Sequence, residues 1–193
     1  MLKILTAALV AVAGSAGAAT LNIKSGSTVV GSLTCAAANA VSPECKGIVG
    51  GSIEPASAGF LSVTEADLFA KNAGSNSGAP DVVAAELNIL TGDTSFTTGD
   101  RTNVGSAAES RFGFTTTAAF FALKLGNNFA FFANTSGEAL EVSFSKIGSG
   151  GFGLSNITEF GETPSPVPLP AAAWLMLVGF GGLAAVGRRR ASA

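Results

Sequence analysis

From Ala171 to Gly187 the chain carries no charged residue, and Arg188-Arg189-Arg190 follow at once. Seventeen apolar and small residues wound as a helix reach about 25 Å, close to the roughly 30 Å of a hydrocarbon core. Leu169, Trp174 and the arginines can supply the remainder by interfacial anchoring and snorkelling. Each arginine costs about 2.5 to 3.5 kcal/mol at mid-membrane on insertion scales, so three in a row stop transfer and hold the C-terminus in the cytoplasm. This segment is expected to be a transmembrane helix (171–187) with a basic cytoplasmic tail (188–193). It removes itself from any soluble core.

The other end does the same. Met1-Leu2-Lys3 is a short positive region, Ile4 to Ala13 is apolar, and Gly14 to Ala19 is small throughout. That order is expected of a secretory signal peptide over 1–19. Signal peptidase accepts small residues at −3 and −1. Gly17 with Ala19 would free Thr20, and Ala16 with Ala18 would free Ala19; cleavage between Ala19 and Thr20 is the favoured frame. No twin arginine precedes the apolar run, which points to the general secretory route.

Between these ends the charge balance changes sign. All thirteen acidic residues lie between Glu44 and Glu162, with seven basic residues from Thr20 to Thr163, so this stretch has a net charge of −6 against −2 for the whole chain. An acidic surface with scattered lysine and arginine releases no counterions from nucleic acid, and no DNA or RNA partner is expected. The chain has no histidine, which excludes a Ser-His-Asp triad, a Cys-His pair and an imidazole metal ligand. Cys35 and Cys45, ten positions apart in an exported chain, read as one disulfide. They lack the C-x-x-C spacing of a redox motif and the further ligands of a zinc site.

From Thr163 to Pro170 a proline-rich linker presents Val167-Pro168-Leu169-Pro170-Ala171 in extended form. This motif, the uncharged helix and the arginine cluster together resemble the VPLPA variety of the PEP-CTERM sorting signal of Gram-negative bacteria. The resemblance covers about 30 of the 193 residues. It implies recognition by an exosortase, a multipass membrane cysteine transpeptidase that removes the tail during sorting. It implies passage through signal peptidase and transient residence in the inner membrane, then delivery to the cell surface or extracellular matrix. Exopolysaccharide and biofilm are the associations such families carry. A permanent inner-membrane anchor is the alternative reading of the tail; a GPI-type signal is disfavoured by the terminal arginines.

The body, 20–162, is expected to be mainly β, an antiparallel β-sandwich with one or two short helices. The resemblance adds a jelly-roll-like form. Leu21 and Ile23 alternate with polar residues, and Thr28 to Thr34 supplies a second strand. Phe121, Leu123 and Leu125 alternate toward a Gly126-Asn127-Asn128 turn, Phe129 to Ala133 returns, and Leu140, Val142 and Phe144 alternate again. These three are expected to form a meander with one buried face. A last strand is expected near Phe152 to Phe160. Thr64-x-x-Asp67 has the form of a capping box and predicts a short helix through Lys71, with a loop over Asn72 to Ala79. Pro80 and Asp81 start another, with Val83, Leu87 and Leu90 on one face and Gly92 as its stop.

Catalytic equipment is sparse. Glu65, Asp67, Asp81, Asp93 and Asp100 sit at turns, and the Gly-Asp pairs at 92–93 and 99–100 could lend oxygen to calcium, but no EF-hand pattern is present. Neither cofactor nor metal is expected. The sequons Asn134-Thr135-Ser136 and Asn156-Ile157-Thr158 carry no expectation in a bacterial chain. The reading is a non-enzymatic structural or adhesive surface protein. A secreted carbohydrate-binding module is the alternative, with a carboxylate-pair hydrolase behind it.

Overall fold

In the computed structural model, the described residues are 18–38, 43–53, 58–70, 78–105, 109–149 and 152–162. The chain divides into two units at Thr163/Pro164, and all of these residues belong to the first. Twelve strands and one helix are found among them: β1 Ala19–Ser25, β2 Thr28–Ala36, β3 Cys45–Val49, β4 Phe60–Ser62, β5 Glu65–Asp67, β6 Phe69–Ala70, α1 Pro80–Thr91, β7 Asp100–Asn103, β8 Arg111–Thr116, β9 Ala118–Leu125, β10 Asn128–Asn134, β11 Leu140–Lys146 and β12 Leu154–Glu162.

The strands form two sheets. Sheet A has the order β5-β1-β2-β11-β8; sheet B has the order β4-β3-β10-β9-β12-β7, with β6 also paired to β10. Every pairing is antiparallel except that of β1 with β5. The expected mainly β, antiparallel architecture is therefore present, and the period-two pattern explains how its core forms. Leu21, Ile23, Leu33, Val142 and Phe144 of sheet A pack with Phe121, Leu123, Leu125, Phe132 and Ile157 of sheet B in one buried cluster. Phe121 stacks on Phe132 at 5.2 Å, and Phe114 meets the edge of Phe121 at 5.8 Å. Phenylalanine suits this interior because, unlike tyrosine, it brings no hydroxyl that must find a partner.

A second apolar cluster lies on the other side of sheet B. Val83, Ala84, Leu87 and Leu90 of α1 pack with Ile48, Phe69, Ala122, Phe129, Phe131 and Phe160. The helix starts with Pro80 in its first turn and stops at Gly92, whose φ of 72° is left-handed and whose N–H reaches the Asn88 carbonyl. A glycine takes that conformation without a Cβ clash. The helix predicted from Pro80 to Gly92 is thus present with its predicted apolar face.

Three expectations are corrected. The segment at Thr64 is not helical: Glu65–Asp67 pairs in parallel with Asn22–Lys24, Asn22 donates its N–H to the Thr64 carbonyl at 2.8 Å, and Leu68 donates to the Lys24 carbonyl at 2.7 Å. Ala66 is buried between its two half-exposed neighbours, the burial pattern of a strand. Backbone pairing with β1 outweighs a local cap that has no apolar helical face behind it. The three-strand meander is also interrupted. β9 and β10 form the expected hairpin, but β11 joins sheet A. Both edges of β10 are already taken, by β9 on one side and by β3 and β6 on the other. Finally, the β9–β10 hairpin is buried on both faces rather than one, because α1 covers the side that would otherwise meet water.

Among the described residues no helix is long and apolar enough to cross a membrane. The transmembrane helix expected at 171–187, the linker at 163–170, the basic tail at 188–193 and nearly all of the signal peptide lie outside the described residues. So does most of the loop expected over 72–79.

Candidate functional site

The two cysteines are brought together. Cys35 lies on β2 of sheet A and Cys45 opens β3 of sheet B, with Cα atoms 6.1 Å apart and a disulfide between them. The bond therefore ties one sheet to the other, and both residues are fully buried. Such a position gives an attacking thiolate no approach, which suits a structural crosslink better than a redox-active one. Beside it, Gly47 of β3 faces β5 so closely that a Cβ there would collide with the Glu65 carbonyl and Ala66. The sheets approach each other here because that position has no side chain.

The sorting motif Val167–Ala171 and the arginines 188–190 lie outside the described residues. Ala19 and Thr20 are described: both are in β1, opposite Cys35 and Thr34 of β2. Ala19 is turned inward and Thr20 outward.

The structure does not collect the candidate carboxylates. Glu65 pairs with Lys24 at 2.7 Å. Asp67 accepts the Gly50 N–H at 2.7 Å, closing the approach of β5 to β3. Asp81 is in the first turn of α1, where its charge favours the helix dipole. Asp93 accepts the N–H groups of Thr94 and Ser95 at 2.6 and 2.9 Å. The Ser95 N–H, then the Ser95 hydroxyl and the Thr94 N–H, hold its carboxyl below the usual carboxylate range. Both Gly-Asp pairs thus have places in the fold: Asp93 builds a turn after α1, and Asp100 begins β7.

Asp100 stands opposite Glu159 of β12. Together with Thr117, Ala118 and Gly161 they line a recess of about 310 Å³. Asp100 and Glu159 form an open cross-strand pair of like charges rather than two acids facing across an enclosed cleft. Among the described residues no group of three or more histidine, cysteine, aspartate or glutamate side chains is arranged to hold a metal.

The outer face of sheet A presents a polar surface. Strand registers place Asn22, Ser32, Ser145 and Arg111 in one row across β1, β2, β11 and β8, and Thr20, Thr34, Ser143 and Gly113 in the next. The Thr20 and Thr34 hydroxyls are 3.3 Å apart. A recess of about 390 Å³ opens over Thr34, Ala36, Gly113, Thr115, Glu141 and Ser143. Hydroxyls and a carboxylate spaced along a sheet can exchange hydrogen bonds with a polyol chain. The two rows carry no aromatic ring on which a sugar could stack; Phe114, which also lines the recess, packs its ring against the core at Phe121.

No family model, curated protein or solved structure matches this chain.

Sequence reasoning gave no role to Glu44. It is fully buried next to Cys45, yet a single acid after Pro43 belongs to no motif. The outer rows of sheet A were present in the alternation of β1, β2 and β11, but which strands share a sheet is not encoded by alternation.

Proposed function

We propose that this chain is an exported, non-enzymatic surface or extracellular-matrix protein, sorted by a VPLPA-type tail that an exosortase processes. The observation that carries this reading is the order Val167-Pro168-Leu169-Pro170-Ala171, seventeen uncharged residues and three arginines. The body adds three supports. Its buried disulfide suits an oxidising compartment. Its last strand ends at Glu162, immediately before the linker. Among the described residues its candidate carboxylates Glu65, Asp67, Asp81 and Asp93 each serve a local turn, cap or strand contact. The chain passes repeatedly between the sheets, as from β2 to β3, β8 to β9 and β10 to β11, which is compatible with the jelly-roll-like form the resemblance implies. Signal peptidase and the exosortase are its processing partners, and the inner membrane holds it in between with the C-terminus in the cytoplasm.

Peptide mapping of the protein released from cells tests the sorting reading. The expected result is a C-terminus near the VPLPA segment, with no peptide containing Trp174. Released protein that still carries Trp174 would overturn it, and protein found only in the inner membrane with Trp174 intact would make the tail a permanent anchor.

The outer face of sheet A favours a second reading, in which the body holds exopolysaccharide noncovalently. Its hydroxyl rows suit weak, repeated hydrogen bonding along a polymer better than tight capture of one sugar. Pull-down of the exported protein with the polysaccharide of its own matrix separates this reading from a purely structural role.

A further inference from the structure

Glu44 is held firmly in place. Thr135 donates its amide to the Glu44 carbonyl at 2.9 Å and its hydroxyl to the Pro43 carbonyl at 2.8 Å, while the next residue is tied to β2 by the disulfide. No part of Glu44 reaches solvent. Its Oε2 accepts the backbone N–H of Ala19 at 3.2 Å in a buried hydrogen bond. Its Oε1 has no hydrogen-bond partner. The ion pair described at Lys24 is made with Glu65, and no described ion pair includes Glu44. A carboxylate withdrawn from water stays ionised only where a cation or several donors meet it. One amide proton supplies neither.

The nitrogen that already touches Glu44 can supply both. As part of a peptide bond, the Ala19 nitrogen offers one proton and no charge. As a chain terminus it offers three protons and a unit positive charge. Ala16 and Ala18 stand at the −3 and −1 positions that would make it so.

We infer that export cleavage falls between Ala18 and Ala19, and that the ammonium it frees forms a buried ion pair with Glu44. Water adds across the Ala18–Ala19 peptide bond. Its hydroxyl joins the Ala18 carbonyl carbon, the carbon–nitrogen bond breaks, and the protons pass to nitrogen. Ala18 leaves as a carboxylate on the signal peptide and Ala19 remains as an ammonium; no other reactant is needed. The inference rests on the export reading and moves the cut one residue upstream of the Ala19–Thr20 bond. Cleavage at that bond would remove the donor seen on Glu44 and leave Thr20, which is turned to solvent, at the chain end. The buried pair would also fasten the first residue of β1 beside the disulfide, closing the edge of the core at the moment the signal peptide departs.

Two measurements on the protein exported with its own signal sequence test this. The first is its N-terminal residue, expected to be Ala19. Thr20 at the terminus overturns the inference and leaves the export reading intact, whereas retention of residues 1–18 overturns both. The second is the rate at which an amine-acylating reagent modifies the Ala19 amine, read by mass spectrometry. Folded protein should react at least about tenfold more slowly than the same protein unfolded in urea, and Glu44→Gln should remove most of that protection. Equal rates in folded and unfolded protein overturn the ion pair whether or not the variant folds. Full protection in a folded Glu44→Gln protein overturns it too, because burial alone then accounts for the effect.

Discussion

Sheet A turns Thr20, Thr34 and Ser143 to solvent, whereas sheet B turns Phe129, Phe131 and Phe160 toward α1. Both sheets place alternate residues on opposite faces, as any pleated strand must. The difference lies in what covers them. Sheet A alternates apolar and polar residues because one side meets water. Sheet B carries apolar residues on both sides because it is the middle layer between sheet A and the helix. The molecule thus sets a polar, wet face on one sheet and a layer packed on both sides behind it, a division that the proposed surface or matrix role would use.

The largest expected effect comes from breaking the helix side of sheet B. Phe131 is fully buried there and lies 6.1 Å from Phe69 and 6.2 Å from Phe129 between ring centroids. Phe131→Ala should lower stability by about 3 to 5 kcal/mol, measured by urea unfolding of the exported protein with its disulfide intact. A loss below about 1 kcal/mol would mean that α1 is not packed on the sheet as described. Since whole domains are stable by only about 5 to 15 kcal/mol, this one ring decides a large fraction of the margin.

The disulfide should matter somewhat less. It joins the two sheets through residues only ten positions apart, so the unfolded chain loses little more than a short loop's freedom when it closes. Replacing both cysteines by alanine should cost about 3 kcal/mol, read as a shift in the urea midpoint. If the crosslink holds sheet A to sheet B, the double variant should also quicken amide exchange in β1 and β2 more than in the β9–β10 hairpin. Uniform acceleration across both sheets would remove that distinction.

How much of this was legible depended on whether the signal was local. The strands β1 and β2, the β9–β10 hairpin, the last strand and α1 follow from alternation, turn residues and caps within a few positions. The pair Cys35–Cys45 followed from the expected export of the chain and a count of two. What the sequence withheld was partnership at a distance. Leu140, Val142 and Phe144 alternate in the same way whether β11 extends sheet B or crosses to sheet A, and occupied edges on β10 decide the matter. Thr64 and Asp67 fit a cap until β1 offers a backbone partner. Leu154 and Ile157 both face the core although three positions apart, because a register shift between Leu154 and Asn156 resets the alternation. Glu44 had no signal at all; its meaning comes from Ala19, twenty-five residues away.

The smallest expected effect is the sharpest test of the contrast between the faces. Ser143 is exposed on β11, opposite Thr34 and Gly113 in the neighbouring strands. Ser143→Ala removes a hydroxyl that has water for a partner, and should change stability by no more than about 0.5 kcal/mol. The thermal midpoint of the exported protein checks this, and a large drop would show that the face is covered in the native protein. The same variant divides the two readings of that face. If the hydroxyl rows hold a polysaccharide, retention on the native polymer should fall while the midpoint stays fixed, because the lost group faces the ligand and not the core. If the role is structural alone, neither quantity should move.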